Sequence, residues 1–370
     1  MNKYKFKDEE AGLTSKREAA LKAAEELEMP ESIRTPGRTW TKYPELDIKK
    51  VEGIKPEISS DGEIEVFTGQ KAVEEAGDKL LNAVKTNENK LNAYHTAFMN
   101  SIIYIKAGGD AEVNIVYDED KPVFSHVVVE TENHSEFTLT EEFRGNPEIL
   151  TSFNEFYLGK NTSMSYGAVE SVDAELTYSR RKAVVGRDAS INWLNGIFKG
   201  ELSRTLIDTV LKGDNSETEM MALWYPTDKQ HTDIALHVDH QGTNTMCDMN
   251  SRAVVDDRSR SVYEGLQHVG DRADDTSSFQ NEDVLMLSDK SEVDASPKLM
   301  IEDPNVEASH AASAGNLPED QLHYLESRGL TEKQSERLIV KGFFEPVMEE
   351  IQLPGLKNSI REEVKRKLQR

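Results

Sequence analysis

The chain has 370 residues, 37% hydrophobic and 30% charged, enough for a large core under a polar surface and unlike a disordered polymer in composition. Its 44 Lys and Arg against 68 Asp and Glu leave a formal charge of -24, which repels phosphate backbones and anionic membranes and argues against a nucleic-acid partner. A single cysteine, Cys247, excludes an intrachain disulfide and any CxxC-built metal site, and neither a signal peptide nor an apolar run of about 18 residues is present, so the expected setting is the cytoplasm with no membrane span.

The first part reads as helical. Ser15 and Glu18 have capping-box spacing ahead of an apolar stripe through Ala20, Leu21, Ala24 and Leu27, and Pro30 stops the run. A loop with Pro36, Gly37, Trp40 and Pro44 follows. From Lys71 a second helical pattern carries Val73, Ala76, Leu80, Leu81 and Val84, and a third runs from Leu91 to about Met99. Near Ile103 the period drops to two: Val113, Ile115 and Tyr117, then Phe137 and Leu139, Leu176 and Tyr178, Ile191 and Trp193, and Ile234, Leu236 and Val238 alternate between Gly, Asn, Asp and Ser turns. Many short strands predict a sandwich, barrel or solenoid, with no crisp fixed-length repeat to choose among them. Helix then returns. Pro318 opens a run through Leu325 with Gly329 past its end, Thr331 and Gln334 cap a helix up to Gly342, another contains Pro346, Val347 and Ile351, and a basic tail follows Pro354. The expected regions are 1–102 (helical), 103–316 (β) and 317–370 (helical).

No phosphate-cradling GxxxxGK[ST], no HExxH and no GxSxG occurs, so no bound nucleotide is expected and the common hydrolase readings fall away. "QHTDIALHVDH" concentrates His231, His237 and His240, yet its alternation is that of a strand. His237 and His240 then point to opposite faces, and His231 and His237 stand about 20 Å apart, so zinc is not expected there. Cys247 reads as a small buried hydrophobe beside Asp248, which raises a thiol's pKa. "VLML" at 284–287 reads as a buried strand followed by a solvated acidic turn. By local argument His310, between Ser309 and Ala311, is a hydrogen-bonding turn residue.

A longer pattern changes that reading. The Gln280–Ser288 strand, Pro297-Lys298-Leu299, Ser309-His310, Glu319-Asp320-Gln321-Leu322, Tyr324-Leu325, Ser327-Arg328-Gly329-Leu330 and Gly342-Phe343 follow one another in the order that resembles the C-terminal signature of the SufB/SufD proteins of the SUF iron-sulfur cluster assembly system. The resemblance covers residues 200–350, with a weaker extension over 40–200. It implies a mainly β chain: a right-handed parallel β-helix flanked by N-terminal and C-terminal helical regions.

With no cysteine after Cys247, the chain resembles the SufD branch, and the resemblance implies a cluster-assembly interface at Ser309 and His310 with His310 as the metal-binding group. Many relatives carry a cysteine where Ala308 stands. Thiolates hold most nascent clusters and one imidazole can complete such a site, so the transient iron-sulfur cluster would be shared with a partner subunit. The implied partners are a SufB-like scaffold and a SufC-like ATPase, the latter on the C-terminal helices through Arg328, Leu338, Ile339, Phe343, Phe344 and Val347, although the apolar members could equally pack on this chain's own β body. No catalytic turnover is expected of this chain alone. Two alternatives are a self-sufficient homodimeric scaffold and, from an enzyme class, a β-helix carbohydrate-active enzyme.

Overall fold

The computed structural model describes residues 5–6, 9, 11–30, 41–46, 48 and 51–369; the expected turn at Pro36, Gly37 and Trp40 lies outside them. Helix α1 (Ala11–Glu26) starts ahead of Ser15, so the Ser15–Glu18 pair sits inside the helix and is not its cap. Tertiary burial recruits the earlier turn: Leu13 and Arg17 share the buried face with Ala20 and Ala24. The Arg17 guanidinium donates to the carbonyls of Ala97 (3.0 Å) and Met99 (2.7 Å) at the end of helix α3 (Lys90–Phe98), satisfying acceptors that a helix C-terminus leaves open.

Two expectations for this region are corrected. The run from Lys71 is a short helix, α2 (Gly69–Ala76), broken where Gly77 takes φ 54° and Leu81 takes φ 63°. Leu80 and Val84 are buried all the same, from an irregular segment. The region also holds a strand, β1 (Glu57–Thr68), paired antiparallel with the long β2 (Ser101–Asp118). Its weak alternation hid it, because most of its residues are exposed.

From β2 two walls of parallel strands grow. One stacks β3 (Val123–Thr131), β5 (Ile149–Leu158), β7 (Leu176–Val185), β9 (Leu202–Leu211), β11 (His231–His240), β13 (Arg260–Val269) and β15 (Glu292–Ile301). The other stacks β4 (Glu136–Arg144), β6 (Ser163–Glu170), β8 (Ser190–Ile197), β10 (Glu217–Trp224), β12 (Met246–Val255), β14 (Thr276–Met286) and β16 (Val306–Asn316). The chain alternates between the walls, making a parallel β-solenoid of about eight turns, as the family resemblance implied. The acidic turn expected after Leu287 is present at 288–291, but the chain then forms β15 where a longer solvated loop was expected. Pro297 is tolerated there because the strand is an edge, with one side free of ladder bonds.

The repeat is real but uneven. Ala111 pairs with Phe137, Glu136 with Ser163, Ser163 with Ser190, Ser190 with Glu217, Glu217 with Met246 and Met246 with Ser277, so the step is 26 residues, then 27 three times, then 29 and 31. The turns follow the same steps. Asn161, Asp188, Asn215, Asn244 and Asp275 all adopt positive φ, a conformation Asn and Asp accept more readily than most residues, and their side chains link rung to rung, as in Asn215 to Asp188 (2.6 Å) and Asn244 to Asn215 (2.8 Å).

Three apolar layers result. Inward side chains such as Phe156, Tyr166, Trp193, Met220, Trp224 and Tyr263 fill the lumen. The N-terminal helices cover Phe124, Phe153, Tyr178 and Leu202 on the odd-numbered wall. Helices α5 (Glu332–Glu350) and α6 (Pro354–Leu368) cover Val169, Leu194, Leu223, Tyr225 and Val254 on the even-numbered wall. Thr331 and Gln334 form the expected capping box. The expected break at Gly342 is absent, and α5 runs unbroken through Gly342 and Pro346. Burial of Val340, Phe344, Val347 and Met348 on one face outweighs the helix-breaking tendencies of Gly and Pro, and Arg252 donates to the Phe343 carbonyl beside the proline.

The two ends of the solenoid differ. β1 lies along the first strand, and its acidic Glu57, Asp61, Glu63 and Glu65 discourage further pairing on that side. Gly62 is required there: at φ 95° a Cβ would meet the Asp110 carbonyl at 2.1 Å. At the other end β15 and β16 are the terminal strands of the sheet, and helix α4 (Glu319–Ser327) leaves them uncovered, with nearly all of β16 exposed.

Candidate functional site

The open end is built by register. β14 alternates buried Ser278, Gln280, Glu282 and Val284 with half-buried Phe279, Asn281 and Asp283, so the even-numbered side chains face the lumen. Parallel partners project to the same side. Gln280 pairs with His310, and Ala308, Ala312 and Ala314 pair with Ser278, Glu282 and Val284, which puts His310 on the inward face of the last rung among three methyl groups. Ser309 pairs with Phe279 and faces outward. Opposite, the inward positions of β15 are Val293, Ala295, Pro297, Leu299 and Ile301. The mouth is therefore a largely apolar rim holding one imidazole. His310 has no hydrogen-bond or ion-pair partner among the described residues, so the local reading of it as a bonded turn residue is corrected: it is a strand residue with free ring nitrogens.

Two histidines of the odd-numbered wall, His237 and His240, are held by neighbours. His237 is on the outer face between Asp208 (3.2 Å) and Glu264 (3.0 Å); burial opposes its charge, but those two carboxylates outweigh it and raise its pKa. His240 faces inward between Thr245 (2.8 Å) and Ser278 (3.1 Å), and burial holds its pKa down at about 4. The two do face apart, as strand geometry required. Among the described residues no group of three or more His, Cys, Asp or Glu is placed to hold a metal ion. Cys247 is fully buried one rung below Ser278, and burial, with the negative charge of Asp248 adding to it, pushes its thiol well above the usual range.

The C-terminal candidates divide. Arg328 stacks over the Tyr324 ring at 5.1 Å, and Leu338, Ile339 and Phe343 line a groove of about 740 Å³ with Tyr324 and Leu325. Leu338 is half exposed. Phe344 and Val347, however, lie buried against Tyr225 and Val254, so they hold α5 to the solenoid and are not available to a partner.

Sequence reasoning passed over two buried polar constellations. In one, His95 bonds Thr151 (2.8 Å) and His126 (3.1 Å), His126 bonds Glu155 (2.8 Å), and Glu155 accepts the backbone N–H groups of Leu81 and Ala83, tying the irregular N-terminal segment to the odd-numbered wall. The other is Glu282 with Gln280, just inside the mouth. Its signal was legible as the period-two run Ser278, Gln280, Glu282, Val284, an acid on a strand face that should be buried.

Comparison with known proteins agrees with this architecture. The family model "SUF system FeS cluster assembly, SufBD core domain" matches residues 114–343. The chain is 29% identical to the iron-sulfur cluster assembly protein SufD of Bacillus subtilis, over 78% of this chain and 69% of that one. It is 23% identical to an iron-sulfur cluster assembly SufBD family protein of Staphylococcus epidermidis, over 85% of this chain and 73% of the relative, and 27% identical to Bacillus subtilis SufB over 43% and 34% respectively. No helix among the described residues is long and apolar enough to cross a membrane. With its solenoid, its flanking helices and a family match over most of its length, the chain belongs to the SufBD core family of the SUF iron-sulfur cluster assembly system.

Proposed function

We propose that this chain is the SufD-like, non-catalytic subunit of a cytoplasmic SUF scaffold, joined to a SufB-like subunit through the β15/β16 end, with a SufC-like ATPase on the C-terminal helices. The observation that carries the reading is the open end itself. Its terminal strands leave backbone donors and acceptors uncovered, β16 carries mostly small side chains with Glu307 its one acid, few of the charges that protect a solitary edge, and one unpartnered imidazole faces the opening. The cluster is cargo. This chain contributes His310 and the partner contributes thiolates, since the only cysteine here, Cys247, is sealed in the core. That burial also disfavours the homodimeric scaffold, which would bring imidazoles together with no thiolate. Family membership displaces the carbohydrate-enzyme alternative. The ATPase would take the groove lined by Tyr324, Leu338, Ile339 and Phe343, with Arg328 at hand.

The test is anaerobic reconstitution with ferrous salt and sulfide, of this chain alone and of the pair. A stable chromophore is expected from the pair only. One forming at full occupancy on the chain alone overturns the shared site, and co-expression that yields only homodimers overturns the heterodimer.

A further inference from the structure

The last closed turn beneath the mouth holds a concentration of buried polar atoms with nothing to bond. Glu282 is fully buried with neither carboxylate oxygen partnered among the described residues, Gln267 across the lumen is fully buried with neither amide atom partnered, and the Gln280 Oε1 is bare as well. Ser251, directly under Glu282 in the ladder, leaves its hydroxyl unpartnered too. Deeper in the lumen the buried acids differ in keeping donors on one oxygen, although Glu141 Oε1, Glu170 Oε2 and both amide atoms of Asn195 are also unpartnered. Glu141 accepts from Asn154 (2.6 Å) and Tyr166 (2.7 Å), and Glu170 accepts from Ser179 (2.6 Å) and Arg181 (2.8 Å). A buried carboxyl with no donor and no cation is costly, and a group kept in that state next to an opening is matched to something that enters.

Three features say what enters. The site carries an acid, Glu282, with no cation paired to it among the described residues. The free atoms are chiefly oxygens: two carboxylate oxygens and the amide oxygens of Gln267 and Gln280. The residue paired with Glu282 on the last rung is Ala312, which adds only a methyl group, and His310 stands two residues earlier on the same face. With rungs about 4.8 Å apart and about 3.3 Å per residue, the Cα atoms of Glu282 and His310 are about 8 Å apart, a separation one metal ion with ligand bonds of about 2 Å bridges.

We propose that Glu282 is a second protein ligand at the mouth, forming with His310 a two-ligand half-site for a divalent first-row cation, ferrous iron above all, with the Gln280 and Gln267 amides as neutral oxygen donors or water anchors. This rests on the reading of β16 as the assembly edge and extends it by one carboxylate. Oxygen donors with one imidazole suit ferrous iron before any sulfide arrives, and a half-site with two strong ligands leaves positions for thiolates from a partner.

Anaerobic equilibrium dialysis of the full chain against ferrous ion tests it, with E282Q, E282D and H310A compared and thermal melting as the fold control. One saturable site is expected in the wild type, weakened at least tenfold by both E282Q and H310A at unchanged melting, and less by E282D, which keeps the charge but withdraws it by one methylene. Wild-type affinity in E282Q with loss in H310A overturns the carboxylate and leaves the assembly edge standing. Loss in E282Q with none in H310A, or no saturable site in the wild type, overturns the half-site. If E282Q melts early, unchanged binding in a folded E282D overturns the proposal instead.

Discussion

Gln280 and His310 are register partners across β14 and β16, so the imidazole stands over the lumen of the solenoid and not on its outer wall. Because His310 has no partner of its own among the described residues, removing it should cost the fold nothing measurable. H310A is expected to melt with the wild type and to assemble normally, while iron and sulfide bound to the assembled complex fall about tenfold or more. Metal and sulfide analysis of the purified complex checks this, and unchanged content removes the ligand role.

The proposed docking edge can be blocked without touching His310. Ala314→Lys puts a charge on the inward face of the terminal strand, the device that natural edges use against strand addition. Capture by the SufB-like partner should drop at least tenfold with no change in melting. Retained capture would move the interface elsewhere.

The C-terminal helices separate docking from folding. Leu338 is half exposed, so Leu338→Asp should leave melting unchanged and abolish co-purification with the ATPase. Phe344→Ala should do the reverse, costing about 3 kcal/mol through the cavity it leaves against Tyr225 and Val340. Denaturant titration and pull-down on both variants decide the assignment.

His237 and Glu264 give a pH signature. The folded pKa of His237 is raised, so its stabilisation is complete below the unfolded value near 6.5 and is lost as pH climbs through the higher folded value. Glu264 is held down at about 2, chiefly by the hydrogen bond from His237 against the effect of burial, with Lys298 adding; its stabilisation is present above the unfolded value near 4.5 and fades as pH falls toward 2. Urea midpoints measured across pH should decline on both sides, and His237→Ala should flatten the alkaline decline just above 6.5 while weakening the acid one. An unchanged profile would show that the pair is not formed in solution.

Cys247 should behave as core. A thiol reagent is expected to label it only after unfolding, and Cys247→Ser should cost about 1 kcal/mol with no effect on cluster formation, because Ser278 can pair with the new hydroxyl. Rapid labelling of the native chain would show access that the buried position denies.

Much of this was legible from residue order. Alternation in Val113, Ile115, Tyr117 and in Ile234, Leu236, Val238 gave strands, Thr331 with Gln334 gave a helix start, and the absence of any cysteine after Cys247 limited what this chain could bring to a cluster. Such features depend on neighbours within a few residues, where period and capping chemistry act. What lay beyond reach was set by parallel pairings 24 to 32 residues apart. Uneven steps concealed the rungs, although the Asn and Asp residues at 161, 188, 215, 244 and 275 mark them once the spacing is known. Likewise, helix α5 ignores Gly342 and Pro346 because the wall beneath it rewards burial of Phe344 and Val347, and those two side chains are thereby withdrawn from any partner. Only stacking decides that His310 faces the lumen with Glu282 on the rung below, since parallel register, and not sequence proximity, selects which side chains share a face.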